Sequence, residues 1–369
     1  MRVLYISDFF LPDIGGVEVI SGQLLSALKR KGHQFVVATS HQSSRLPDLM
    51  DYDGIQVHRF EFRRSLAGRD LKSMKEIVER LGALKGDFQP DLVHIAAGAN
   101  AFFNERTRSI HPSKTLVTLH EMIGPAAARD GVLGRMFTSA DWIVAVSGAV
   151  LSDLRRAMPQ TIDHSSLILN ALEMPAIAPA PLVLDPPRLL CVGRLVREKG
   201  FDVAIRAMIP IVARYPAARM TIAGDGIARL ELEELARQLE LADAIEFPGW
   251  VAPESIRALI NSSSLVMMPS RWQEPFGLVA LEAAQMGRPI VATRQGGLPE
   301  IVIDNETGLL VNADDRDSLA NAVMWLLERP EAARRMGAMA CERARERFSA
   351  DVFANSYAAL YRRLAGSEK

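Results

Sequence analysis

The chain has 369 residues, with 43 Lys+Arg against 44 Asp+Glu and a formal net charge of −1 at pH 7. At 49% hydrophobic and 24% charged residues, it lies far from disordered, collagen-like or coiled-coil compositions. The balanced charge makes a poor general nucleic-acid binder, which needs excess positive charge to meet phosphates.

Short apolar runs alternate with longer amphipathic ones along the chain. Arg2–Ser7 reads as a buried strand, followed by a glycine-containing loop and a helix over Val17–Lys31, with Gly32 ending it. Further strands are expected at Gln34–Thr39, Leu92–Ile95, Thr115–Leu119, Trp142–Val146 and Leu167–Leu169. Arg63–Leu81 is basic and then amphipathic; a core-facing helix is favoured over one lying on an anionic membrane. Residues 173–187 hold Pro175, Pro179, Pro181, Pro186 and Pro187 and read as a stiff linker. The alternation then restarts. Strands are expected at Arg188–Val192, Arg219–Ala223, Leu265–Pro269 and Pro289–Thr293. Helices are expected at Phe201–Tyr215, Leu230–Leu239, Gly277–Met286, Asp315–Glu328, Glu331–Arg347 and Asp351–Leu364. Strand–helix alternation of this kind predicts parallel sheets covered on both faces, with ligands at the C-terminal strand ends.

Cys191 and Cys341 are the only cysteines, too few for a disulfide framework and without a Cys-x-x-Cys metal pair. Together with a short, acid-terminated N-terminal apolar run and no spanning segment, they suggest a cytoplasmic protein.

The segment Pro269-Ser270-Arg271-Trp272-Gln273-Glu274-Pro275-Phe276-Gly277-Leu278 follows an apolar strand and opens a helix that carries Glu282. Amides at Phe276, Gly277 and Leu278 form the positive end of that helix and suit a phosphate. Glu274 can accept hydrogen bonds from sugar hydroxyls, and Glu282 can reach a second polyol such as ribose. The plainer alternative is a cap and a solvated helix charge. A carboxylate among Ala280, Leu281, Ala283 and Ala284 is costly, however, unless something pairs with it. Arg194 and Lys199 stand five apart after a strand, in Gly193-Arg194-Leu195 through Glu198-Lys199-Gly200. They can clamp a diphosphate, or be two solvated loop charges.

Glu274-Pro275-Phe276-Gly277-Leu278, with Glu282 seven residues beyond Glu274, resembles the signature of the family-4 retaining glycosyltransferases of GT-B fold. Gly296–Glu300 and Thr307–Val311 are similar to the segments downstream of that signature in the family. The resemblance implies that Glu274 contacts the donor sugar, that the amides at Phe276, Gly277 and Leu278 bind diphosphate and sugar, and that Glu282 holds the ribose. It implies that Arg194 and Lys199 stabilise the departing diphosphate without a metal. Gly15 and Gly16 match the family's glycine-rich loop, which meets donor phosphate or acceptor. His120, in Thr118-Leu119-His120-Glu121, matches a histidine near the transferred sugar. The acceptor side departs from the pattern: Glu121 replaces Asp, Ala96 follows His94 where a second histidine is frequent, and Asn170-Ala171 replaces Asn-Gly.

Other motifs carry less. Gly224-Asp225-Gly226 lacks the third glycine of a dinucleotide fingerprint, because Arg229 stands there, and reads as a tight turn. Asp51/Asp53 are read as loop acids and Asp315/Asp317 as acids at a helix start, not as metal ligands.

The expectation is an α/β protein of GT-B type, two Rossmann-like doubly wound domains facing a central cleft. Residues 1–172 would bind the acceptor, 173–187 link, 188–350 bind the donor, and a last helix over about 351–369 pack back on the first domain. The reaction expected is retaining transfer from a UDP-sugar or GDP-sugar to a carbohydrate, lipid-linked or small-molecule acceptor. No metal cofactor or nucleic acid is expected, and peripheral membrane contact stays open. Alternatives are a sugar-nucleotide epimerase or hydrolase on the same scaffold, or a binding protein that has lost catalysis; an NAD-dependent oxidoreductase lacks its fingerprint.

Overall fold

The computed structural model describes residues 1–12, 15–41, 46–96, 100–124 and 132–366. The chain divides into two compact units, Met1–Ala171 with Ala350–Lys369, and Leu172–Ser349. Asp13 and Ile14 of the first glycine loop, and the last three positions of the expected C-terminal helix, lie outside the described residues.

The first unit runs β1 (Arg2–Ser7), α1 (Gly16–Arg30), β2 (Gln34–Ser40), β3 (Leu49–Tyr52), β4 (Ile55–Phe60), α2 (Phe62–Ala67), α3 (Leu71–Phe88) and β5 (Leu92–Ala96). It continues with α4 (Ala101–Arg106), β6 (Lys114–Leu119), α5 (Val132–Ser139), β7 (Trp142–Ala145), α6 (Gly148–Ala157) and β8 (Ser165–Leu167). The sheet order is β3-β4-β2-β1-β5-β6-β7-β8. Only β3 runs antiparallel, in a hairpin with β4. Strands β1, β2 and β5 are buried nearly throughout, as strands covered on both faces must be.

Some expectations shift. The amphipathic stretch 63–81 is two helices, not one. Arg69 adopts φ +51°, and Asp70 caps α3 by accepting from the amides of Lys72 and Ser73 at 3.1 Å. Ile77 and Leu81 face the core while Leu71 stays 78% exposed. The strand expected at Leu167–Leu169 lies at Ser165–Leu167, because a 3-10 turn over Pro159–His164 delivers Ser165 into register with Ile143. Asp51 sits on β3 rather than in a loop and accepts from the amide of Gly54 at 2.8 Å.

The chain returns to this unit as α14 (Ala350–Leu364), counted after the helices of the second unit. A buried polar chain ties it to the sheet. His94 on β5 bonds Tyr361 through Nδ1 at 2.6 Å and Thr118 on β6 through Nε2 at 2.7 Å. The hydroxyls of Thr118 and Tyr357 lie 2.9 Å apart. Burial pushes the His94 imidazole down to about 3. The unfolded chain binds a proton at His94 below its ordinary pKa, and the folded chain resists until near pH 3. Stability present above pH 6.5 is therefore lost as the pH falls. We expect denaturant titrations at pH 7 and pH 4 to differ by about 3 kcal/mol from this group alone, and His94→Gln to remove that part of the slope. An unchanged slope in the variant would refute the assignment.

The second unit holds β9 (Arg188–Val192), α7 (Phe201–Arg214), β10 (Arg219–Ala223), α8 (Arg229–Gln238), β11 (Ile245–Gly249), α9 (Pro253–Ser262) and β12 (Leu265–Met268). It ends with α10 (Leu278–Gln285), β13 (Ile290–Thr293), α11 (Leu298–Ile301), β14 (Gly308–Val311), α12 (Arg316–Leu327) and α13 (Pro330–Arg347). The sheet order β11-β10-β9-β12-β13-β14 is parallel throughout. Asp315 caps α12 by accepting from Ser318 N at 2.9 Å. In each sheet the order reverses beside the first strand, β1 or β9, and such switch points open a crevice at the C-terminal strand ends.

Arg288 is buried in this unit without a carboxylate partner among the described residues. Its guanidinium donates to the carbonyls of Met286 (3.0 Å), Ser263 (3.2 Å) and Ala180. Asn261 braces the same stretch, accepting from Ala180 N at 2.8 Å and donating to Ala178 O at 3.0 Å. Arg288→Leu strands these carbonyls without donors. Urea unfolding should show a loss of about 2–4 kcal/mol; a change within experimental error would mean the carbonyls find other donors.

Candidate functional site

The loops after β9, β10 and β12 converge through their main chains. Gly193 N donates to Ala223 O (3.0 Å), Leu195 N to Asp225 O (2.8 Å), and Ala228 N to Leu195 O (2.9 Å). Gly224 adopts φ +140°, and a Cβ there would lie 1.9 Å from Gly193 O. The glycine-aspartate-glycine run is thus a turn pressed against its neighbour. Arg229, in place of a third glycine, pairs with Glu233 at 2.8 Å and donates to Phe247 O at 3.2 Å.

Lys199 ends a 3-10 turn over Arg197–Lys199, ahead of α7. Its Nζ lies 2.5 Å from Glu274 Oε1, and Ser270 Oγ donates to the same oxygen at 2.7 Å. Glu274 is 5% exposed, so this carboxylate is neither a helix cap nor a solvated charge. Its main-chain carbonyl accepts from Gly297 N at 2.7 Å. Arg194 is exposed, and its guanidinium forms no hydrogen bond or ion pair among the described residues. The two cations expected to act together thus differ: Lys199 already holds an anion, and Arg194 is unengaged.

Gly277 precedes α10 at φ +107°, a conformation that favours glycine, and a Cβ there would meet Leu298 Cδ2 at 2.7 Å. Phe276 is buried edge-on to Phe348, with centroids 5.8 Å apart. Among the described residues, the amides of Phe276, Gly277 and Leu278 donate to no main-chain acceptor. They stand at the positive end of α10. Glu282 lies one turn into the helix, half-buried between buried alanines and Leu281. Burial pushes its carboxyl up to about 7, with Arg257 on α9 pulling the other way.

Gly15, Gly16 and His120 belong to the first unit. Gly15 has an extended backbone (φ −155°) before α1, and Gly16 is the first, exposed residue of that helix. Neither needs positive φ; a Cβ at Gly15 would meet Glu18 Oε2 at 2.6 Å. His120 is half-buried at the end of β6, and burial lowers its imidazole to about 4, so it is neutral at pH 7. His94 is a satisfied core residue.

Sequence reasoning missed the residues that hold the Lys199 turn. Arg271 donates to Asp202 through Nη1 (2.7 Å) and Nη2 (2.8 Å), and pairs with Asp314 through Nε. Burial pushes the Asp202 carboxyl up, but its bonds to Arg271 outweigh this and leave it below the usual range. Arg271 stood in the quoted motif, and Asp202 in the first turn of a predicted helix. Nothing local marks Asp314, 43 positions away. Among the described residues, no group of three His, Cys, Asp or Glu could hold a metal ion, and no helix is long and apolar enough to cross a membrane.

Two α/β units built on parallel sheets, superposing over their whole length on a solved enzyme of this type, define the class: a glycosyltransferase of GT-B fold. The family model described as Glycosyltransferase Family 4 matches residues 14–174, and that described as Glycosyl transferases group 1 matches residues 176–343. The chain belongs to this glycosyltransferase family. It is 29% identical to the glycogen synthase of Mycobacterium tuberculosis over 401 aligned residues, covering 98% of this chain and 94% of that one. It is 36% identical to a GDP-mannose-dependent alpha-(1-6)-phosphatidylinositol monomannoside mannosyltransferase of Mycolicibacterium smegmatis over 159 residues, 42% of each chain. The solved sucrose-phosphate synthase of Thermosynechococcus elongatus superposes with a TM-score of 0.86 at 25% identity, covering all of both chains.

Proposed function

We propose that the enzyme transfers a sugar from a UDP-sugar or GDP-sugar to an acceptor hydroxyl with retention of anomeric configuration. The acceptor class is a carbohydrate, a lipid-linked sugar or a small molecule. The observation that carries this reading is Lys199 Nζ held 2.5 Å from Glu274, close in sequence to the unengaged amides of Phe276–Leu278. Lys199, Arg194 and the amides receive the diphosphate, and Glu274 orients the sugar. The ribose hydroxyls donate to Glu282. In the first unit, His120 offers a neutral imidazole to a hydroxyl, and the loop at Gly15 and Gly16 is read as the segment that meets phosphate or acceptor.

In the transfer, the bond from the anomeric carbon to the diphosphate oxygen breaks as the acceptor oxygen attacks on the same face. The acceptor proton passes to the departing diphosphate, so no strong side-chain base is needed. Side-chain cations and helix amides stabilise the leaving group, and the reaction as proposed invokes no metal.

A thermal-shift panel of UDP, GDP, ADP and their common sugar conjugates tests the donor reading. One nucleotide family should stabilise the protein, and Glu282→Ala should abolish the shift. Proton NMR of the product from an α-linked donor should then show an α-anomer; a β-anomer would overturn retention. No shift with any nucleotide would count against the whole reading.

A further inference from the structure

We propose that Arg271 is a positioning residue, one that sets the place of Lys199 without touching the ligand. The proposal rests on the reading of Lys199 as the diphosphate cation.

Arg271 grips the Lys199 turn from both its main chain and its side chain. Its amide and that of Trp272 both donate to Glu198 O, at 2.8 and 3.1 Å. Its Nη1 donates to Arg197 O at 2.9 Å. The two carbonyls immediately before Lys199 are thus fixed by one residue and its neighbour. Asp202, just beyond Lys199 and Gly200, takes the bidentate fork described above. Such a fork fixes orientation as well as distance. Asp314, on the loop between β14 and α12, takes the Nε–H. It adopts φ +60°, a left-handed conformation that Asp tolerates better than most residues, and so completes the clasp.

Nearly all the guanidinium's N–H donors are engaged: Nε with Asp314, Nη1 with Arg197 O and Asp202, and one on Nη2 with Asp202. Little is left for a ligand. Four segments meet here: the 3-10 turn, the first turn of α7, the loop between β12 and α10, and the loop after β14. The Lys199–Glu274 contact spans the first and third of these, so loosening the clasp lets Lys199 drift from the diphosphate position.

A double-mutant cycle tests this, read by calorimetric titration of inorganic pyrophosphate, UDP and GDP into the full chain. Arg271→Gln should weaken pyrophosphate binding by about tenfold. In a Lys199→Ala background the same substitution should change nothing further. Equal weakening in both backgrounds, or none in either, overturns the proposal, because a purely structural arginine acts irrespective of Lys199. If Arg271→Gln fails to fold, Asp314→Asn, at an exposed position, obeys the same logic with a smaller loss. A wild-type chain that binds none of the probes defeats the underlying site reading instead, and is told apart by failing before any substitution.

Discussion

Lys199→Ala lowers kcat for sugar transfer by roughly 10²–10³-fold, the scale on which removing one preorganised charge stabiliser slows a reaction. Two effects combine. The departing diphosphate loses a cation fixed by the α7 entry turn. Glu274, 5% exposed, also loses its countercharge and keeps, among the described residues, the Ser270 hydroxyl, which is a poor exchange for a buried carboxylate. The second effect is one of stability and the first one of chemistry, so they separate. Lys199→Ala alone should lower the melting temperature. Adding Glu274→Gln should restore most of the melting temperature and none of the activity. Full activity in Lys199→Ala would remove this residue from the mechanism, and recovery of turnover in the double variant would show that only the stray charge mattered.

The second large effect concerns pH. Glu282 is held at about 7 by burial, well above a carboxylate's ordinary value. Ribose hydroxyls are best accepted by the ionised form. Nucleotide affinity should therefore fall as the pH drops below about 7, approaching tenfold per unit. Glu282→Gln should flatten that profile and weaken binding by about 10–100-fold at pH 8, the scale of a hydrogen bond to a charged group. For the ligand-free chain the sign reverses. A carboxyl whose folded pKa is raised favours the protonated fold, so its ionisation destabilises the native state as pH rises from about 4.5 to 7. Glu282→Gln should then raise stability at pH 8 by about 1–3 kcal/mol. On the proposed role for Glu282, this is an exchange of stability for function. Titrations at pH 5.5 and 8 that give equal affinities for the wild type would sink this account.

Much of the fold was legible because its strands are buried on both faces. β1, β9 and β10 read to the residue as apolar runs bounded by charge or glycine. β4 escaped because Ile55-Gln56-Val57-His58-Arg59-Phe60 mixes buried apolar positions with polar ones, and β3 because it is a short half-exposed hairpin strand. The break at Gly68-Arg69-Asp70 lies between two amphipathic stretches whose periods run on across it. At the site, Glu274, Lys199, Gly277 and Glu282 were visible as residue types at telling spacings. That Lys199 and Glu274 form an ion pair was not, since a separation of 75 positions carries no local trace of the contact. The clasp around Arg271 escaped for the same reason.

Close main-chain packing after β9 and β10 has a consequence for how such a protein can diversify. With Gly224 against the Gly193 carbonyl, even a methyl group has nowhere to go, so this part of the scaffold is closed to drift. Around it, Ile227 is 95% exposed and Trp250 62% exposed, on turns whose backbones that scaffold already holds. Substitutions at these exposed positions can change the surface without moving the main chain beneath it. Selection can therefore vary these side chains at little cost to the fold, and a directed library restricted to those two positions should retain folded protein in most of its members.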